Sequence, residues 1–274
     1  MVDTIIFAHF DDTERTVRLI SVPRDLYYNG RKINHYPFYF GMDEFKRVLG
    51  EIVGYEIDKF LLIDMYAFID VVDLIGGIDI RLDEAVIDPT YKTLDEGVWG
   101  TLNYEPGDYH LNGRQSLRLA RSRHTSSDFA RSKRQHQILE ALQSKARSFG
   151  FGDAKTLYDI VKTALNKTET DISVGDAVRY YFKYQGFEIA SSNVLSTGNV
   201  LDVPDYITTE DCAAKIVEWE TSAGEFAGAG SMEKAERPSC ENELHAYTLL
   251  PRDDNWNLIK WYFKEIFDGD GLDY

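Results

Sequence analysis

The segment that most limits how this chain can fold is residues 58 to 82, which read DKFLLI, then MYAFIDVVDLI, then IDIRL. DKFLLI reads as a buried strand. In the middle piece Phe68, Val71, Val72 and Ile75 recur at helical spacing, and Gly76-Gly77 follows as a terminator. IDIRL alternates as a strand does. Strand, helix, strand in that order points to an α/β protein in which helices cover a sheet.

The flanking sequence agrees. DTIIFAHF and TVRLISV, joined by the polar DDTER, predict a β-hairpin. Pairing across that turn brings Asp3 opposite Pro23, beside Arg24 and Asp25. Residues 42–53 place Phe45, Val48, Leu49 and Ile52 on one helical face. Residues 83–111, with Pro89, Gly97, Gly100, Pro106 and Gly107, read as a long irregular loop of the functional or flexible kind. Asn112 followed by Gln115 signals a capping box for a short helix to Ala120. Ser126, Ser127 or Asp128 caps a longer one to about Ser148. Helices are expected near 154–165, 173–185 and 208–221, strands at FEIASSNVLS and LHAYTLLP, a surface loop over 222–243, and a closing amphipathic helix. No repeat or domain-scale linker interrupts the pattern, so one domain is expected.

Charge is where the sequence turns informative about function. The chain carries 30 Lys and Arg against 46 Asp and Glu, a net −16, which argues against broad nucleic-acid binding. No apolar run approaches a membrane span and no signal peptide opens the sequence. Two cysteines, Cys212 and Cys240, exclude a cysteine-based zinc site and leave one disulfide or two thiols open. Yet ARSRHTSSDFARSKRQHQILEAL, residues 120–142, gathers Arg121, Arg123, Arg131, Lys133 and Arg134.

On a helix from Asp128, Arg131, Arg134 and Gln135 share a face with Ile138, Leu139, Leu142 and Ala146, while Lys133 and His136 point away. Arginines on the apolar face of a first turn oppose the helix dipole. Asp128 is the only acid between residues 109 and 139. Two cations about 7 Å apart repel by roughly 2 kcal/mol at an effective dielectric near 20. A phosphate at the helix N-terminus would compensate, because the guanidinium fork matches its geometry. Arg121 and Arg123 would add donors. The other reading is a structural network in which these arginines meet distant acids. SVPRDLYYNGRKIN supplies a second group: Arg24 and Asp25 at a strand's carboxyl edge, then Lys32 and Asn34. Asp3 and Asp25 could hold magnesium with its waters, or bridge to Arg24.

DTIIFAH, LISVPRD, RKIN, LIDMYAFIDVVDLIGGIDI, YHLNGRQSLRLARSRH and SDFARSKRQHQIL stand in the order and spacing of the LytR-CpsA-Psr family. The chain resembles that family closely to about residue 147 and more loosely beyond. The resemblance implies a single three-layer α–β–α domain with a mixed central sheet, held outside the cytoplasmic membrane or in the cell wall. It implies a phosphotransferase that moves an anionic glycopolymer, teichoic acid or capsule, from a polyprenyl-pyrophosphate carrier to peptidoglycan. Asp3 matches the family's magnesium-linked aspartate. Arg24, Asp25, Arg121 and Arg123 match its catalytic positions. Arg24, Lys32, Arg121, Arg123, Arg131 and Gln135 would bind the pyrophosphate, with Asp25 as base or second metal-shell residue and His124 as its rival. Family members carry a further strand and a membrane anchor upstream of the Asp3 position, where this sequence opens. A non-catalytic module that binds polyprenyl phosphate or wall polymer is the competing expectation.

Overall fold

The computed structural model describes residues 2–95, 97–122, 128–148, 154–204 and 248–268. Strands β1 (Ile5–Asp11) and β2 (Thr16–Val22) form the expected hairpin, followed by the short pair β3 (Tyr27–Tyr28) and β4 (Arg31–Lys32). Helix α1 (Tyr36–Val53) leads to β5 (Leu61–Leu62), α2 (Met65–Leu74) and β6 (Ile78–Leu82). Then come β7 (Val86–Asp95), β8 (Val98–Tyr104), β9 (Gly107–Leu111), α3 (Gly113–Arg121) and α4 (Asp128–Arg147). The chain continues through α5 (Ala154–Leu165), β10 (Glu169–Thr170), α6 (Val174–Tyr184) and β11 (Glu188–Val194). It closes with β12 (Leu201–Asp202), β13 (Leu250–Pro251) and α7 (Asn257–Asp268). The sheet β1–β2–β11 is mixed, since the hairpin is joined by β11 running parallel to β2. The fold class is α/β. The helix expected near 208–221, the loop over 222–243 and both cysteines lie outside the described residues.

Contacts divide the chain into two compact units. The first comprises Met1–Ile5, Val22–Gly54 and Leu195–Lys264. Its core takes Phe45, Val48, Leu49, Ile52 and Val53 from α1 and Leu195, Leu201, Ile259 and Phe263 from the later chain. Each such side chain contributes about 1.5–3 kcal/mol by leaving water. α1 begins earlier than its periodicity indicates and breaks at Gly41 (φ 83°), so the aromatic turn Tyr36–Phe40 precedes the amphipathic helix proper. Leu26 pairs in parallel with Leu249, and Leu249 N–H donates to Asp25 O at 3.1 Å.

The second unit comprises Ile6–Ser21, Tyr55–Val194 and Glu265–Tyr274. Val72, Ile78, Leu82, Leu111, Leu119 and Ile138 form one cluster; Val17, Leu19 and Phe187 form another with Leu139 against it. α4 serves both, packing against α3, β6 and β11. Three expectations are corrected here. DKFLLI yields only the two-residue β5 with Leu61 54% exposed, because among the described residues it pairs only with the two-residue β10. Residues 83–111 are not irregular: β7 and β8 make an antiparallel ribbon, and β9 pairs with β6. A ribbon wet on much of both faces has no reason to alternate apolar with polar, and alternation is what marks a strand in a sequence. His136 does not point away from the protein; it is 2% exposed. A helix packed on two sides buries residues around its circumference, so a single apolar stripe does not define what is inside.

Candidate active site

In the first unit the strand edge delivers the PRD residues together with Asp3. Arg24 Nη1 donates to Asp3 Oδ1, and Arg24 Nε donates to Asp25 Oδ2 at 3.3 Å. Lys32 Nζ donates to Asp25 Oδ1 at 2.6 Å. Two cations and two carboxylates thus alternate along one line, Asp3–Arg24–Asp25–Lys32. The hairpin explains the long-range contact: β1 and β2 are antiparallel, so residues before the first strand meet those after the second. Arg24 has its pKa raised: burial opposes that shift, and the hydrogen bond to Asp3 with the nearby Asp25 charge outweighs it. It stays cationic at every accessible pH.

The side chains of Asp25 and Lys32 are 16% and 17% exposed, whereas that of Asp3 is 55% exposed. An open carboxylate beside a charged cluster suits magnesium, which keeps several waters and takes one or two carboxylates alongside phosphate oxygens. Among the described residues no group of three or more His, Cys, Asp or Glu could hold a metal by itself. A cation at Asp3 would therefore complete its shell with water and phosphate.

In the second unit the arginine-rich segment begins with a helix end. Asn112 and Gln115 form the expected capping box at the start of α3, with Gln115 N–H donating to Asn112 Oδ1 at 2.9 Å. The neighbouring Gly113 permits the close approach of α2: a Cβ there would stand 2.2 Å from Ile69 O. Gly113 N–H donates to Asp73 Oδ1 at 2.7 Å, tying the two helices. α3 ends on Arg121, which is exposed, and Ser122, which is 1% exposed.

Arg134 lies on the buried face of α4 as expected but meets carbonyls there, not an anion. This residue is 7% exposed and spends its donors on the end of α3, with Nε on Leu119 O at 3.2 Å and Nη2 on Ser122 O at 2.5 Å. A cation is favourable against these carbonyls, where the helix dipole is negative. Burial lowers its pKa and the charge of Asp88 partly offsets that. Arg134 is thus a cap for α3, the structural network left open by the sequence. Gln135 Nε2 donates to Ala120 O at 3.3 Å, in the same place. Arg131 is half-buried and Lys133 exposed. Arg123 and His124 lie outside the described residues.

Two features escaped the sequence reading. Ser21 Oγ lies 2.9 Å from His136 Nε2, a buried hydrogen bond joining β2 to α4. Burial holds His136 below the usual histidine pKa. Asp88, 3% exposed, receives Ser122 Oγ at 3.1 Å. The sequence DPT at 88–90 is a side-chain-capped turn signal that could have marked Asp88 as structured.

The LytR_cpsA_psr family model matches residues 2–218. The chain belongs to the LytR-CpsA-Psr family. Over 211 residues it is 29% identical to the Bacillus subtilis polyisoprenyl-teichoic acid–peptidoglycan teichoic acid transferase TagV, covering 73% of this chain and 52% of that protein. It is 27% identical over 181 residues to Bacillus subtilis TagT, likewise a polyisoprenyl-teichoic acid–peptidoglycan teichoic acid transferase, covering 64% and 55% of the two. The chain thus spans about half the length of these curated relatives. Among solved structures, that of Bacillus subtilis TagV aligns with a TM-score of 0.66 at 23% identity, over 97% of this chain and 89% of the other. TagT bound to LI-WTA aligns with a TM-score of 0.62 at 19% identity, over 97% and 85%. At these identities the structures speak for a shared LytR-CpsA-Psr fold.

Proposed function

We propose that this LytR-CpsA-Psr chain is a phosphotransferase domain that moves an anionic glycopolymer of the teichoic acid or capsule kind from a polyprenyl-pyrophosphate carrier to peptidoglycan, acting outside the cytoplasmic membrane. The observation that supports this most is the Asp3–Arg24–Asp25–Lys32 line, in which two cations are oriented by two carboxylates at the positions the family motif supplies. The curated relatives TagV and TagT are polyisoprenyl-teichoic acid–peptidoglycan teichoic acid transferases, an activity of the same class.

The family motifs assign Arg24 and Lys32 of the first unit, and Arg121, Arg123 and Arg131 of the second, to phosphate oxygens, while Gln135 is engaged by Ala120 O at the end of α3. Asp25 holds Arg24 and Lys32 in register, and Asp3 would hold magnesium. That ion, when bound, would neutralise charge on the phosphate oxygens. In the reaction an acceptor sugar hydroxyl attacks the polymer-side phosphorus. A new P–O bond forms, the bridging P–O bond to the carrier-side phosphate breaks, and polyprenyl phosphate leaves. The hydroxyl proton is assigned to Asp25, the more enclosed carboxylate. Positioning and charge stabilisation dominate phosphoryl transfer, which is why fixed guanidinium groups suffice.

Loss of one such donor typically costs on the order of 10²–10³ in rate. Transfer from a polyprenyl-pyrophosphate-linked glycopolymer to peptidoglycan should fall by that factor in Arg121→Ala, with cooperative unfolding preserved. A parent chain that retains the lipid and never transfers polymer would establish a binding module instead.

A further inference from the structure

In sequence Ser122 stands between Arg121 and Arg123, two of the arginines assigned to the pyrophosphate, and every polar group it has is bonded. Its N–H donates to Arg118 O at 3.0 Å, its carbonyl accepts from Arg134 Nη2 at 2.5 Å, and its Oγ donates to Asp88 Oδ2 at 3.1 Å. Asp88 is fixed in turn. Its Oδ1 accepts from Thr90 N–H at 3.1 Å, Thr90 Oγ1 at 2.7 Å and Tyr91 N–H at 3.0 Å. These bonds use the register shift in β7, between Asp88 and Lys92, to aim the carboxylate at the end of α3.

We propose that Asp88 is a positioning residue: through Ser122 it fixes the end of α3 from which Arg121 projects, and so sets where that guanidinium meets the anion. The inference rests on the assignment of Arg121 to the pyrophosphate. A buried carboxylate is a costly way to fill a core, since apolar residues of like volume usually serve stability as well or better. This one also lies beside a helix C-terminus, whose dipole repels it, and the nearby Arg134 charge offsets part of that. Such a placement is explained by geometry that only directional bonds impose. Ser122 is the swivel point, because its backbone (φ −58°, ψ 135°) leaves the helix immediately after Arg121. A helix end anchored on one side only would let a long arginine sample several positions, and misplacement by about 1 Å can cost a reaction 10²-fold.

The test is calorimetric titration of inorganic pyrophosphate, at fixed salt with magnesium, into the parent, Ser122→Ala, Arg121→Ala and the double variant. Ser122→Ala removes one hydroxyl and should weaken binding about tenfold, the effect of one hydrogen bond in a charged network. On the Arg121→Ala background the same change should matter by less than about twofold, because the effect travels through that arginine. A purely structural role predicts additive losses instead, and that result would overturn the proposal. So would parent-like affinity in Ser122→Ala. Parent-like affinity in Arg121→Ala would instead remove Arg121 from the anion site and the inference with it. If Ser122→Ala melts too low to titrate, Asp88→Asn takes its place. Its amide still meets Ser122 Oγ, so the expected loss is smaller but must again vanish without Arg121.

Discussion

Replacing Arg134 by alanine separates an arginine that builds the site from one that binds the ligand. The substitution leaves the buried carbonyls of Leu119 and Ser122 without this donor, at roughly 1–3 kcal/mol each. Losing the packed aliphatic stem adds about 1–2 kcal/mol. Relief of the guanidinium's own burial returns part of this, and the nearby Asp88 charge, now less compensated, takes some away. The net expectation is a loss of about 3–5 kcal/mol, in the range for breaking buried charged networks. For a chain of this size that is a drop in melting midpoint of about 10 °C. Arg134→Met, which restores the stem, should recover about 1 kcal/mol. Urea and thermal unfolding followed by circular dichroism would measure both. A variant that melts with the parent yet loses pyrophosphate affinity would refute the reasoning, since that is the behaviour of an arginine aimed at the anion.

Three further outcomes follow from named contacts. His136 has its pKa lowered by burial, so below about pH 6.5 the unfolded chain takes up a proton that the folded chain resists. Its contribution to stability should therefore decline as pH falls from about 6.5 toward the lowered folded value, by at most about 1.4 kcal/mol per pH unit. Urea unfolding of parent and His136→Gln at pH 7 and pH 5.5 checks this: equal pH dependence in the two would count against it. Gly113→Ala sets a Cβ 2.2 Å from Ile69 O and should cost about 1–3 kcal/mol or more, because backbone rather than a flexible side chain must move. An unchanged urea midpoint would show that α2 and α3 are not that close. Asp3→Ala should abolish the magnesium dependence of transfer while leaving the melting midpoint nearly fixed, since an exposed ion pair contributes about 0–1 kcal/mol. Transfer indifferent both to this change and to a chelator would remove the metal from Asp3.

Much of this molecule follows from local rules that a sequence states outright. The β1–β2 hairpin, the capping box of α3, the end of α2 at Gly76-Gly77 and the spans of α4, α5 and α6 depend on residues within a turn or two of each other. The hairpin also brought Asp3 to Arg24 across more than twenty residues, because an antiparallel pair converts sequence symmetry about a turn into contact. The motifs carried the family by the same logic of order and spacing. What tertiary structure decided was where side chains with several plausible partners end up. Arg134 and Gln135 had the composition of anion ligands, yet the carbonyls at the end of α3 claim them, and nothing in α4 encodes the position of another helix's last turn. His136 stood on the apparent polar face of α4, but it is buried there and meets Ser21 of β2. Asp88 sat in a stretch without periodicity and became the anchor of the arginine segment only because β7 and β8 pair. Long-range hydrogen bonds are chosen by which elements pack together, and the sequence pattern of one element states its own period but not its neighbour's identity.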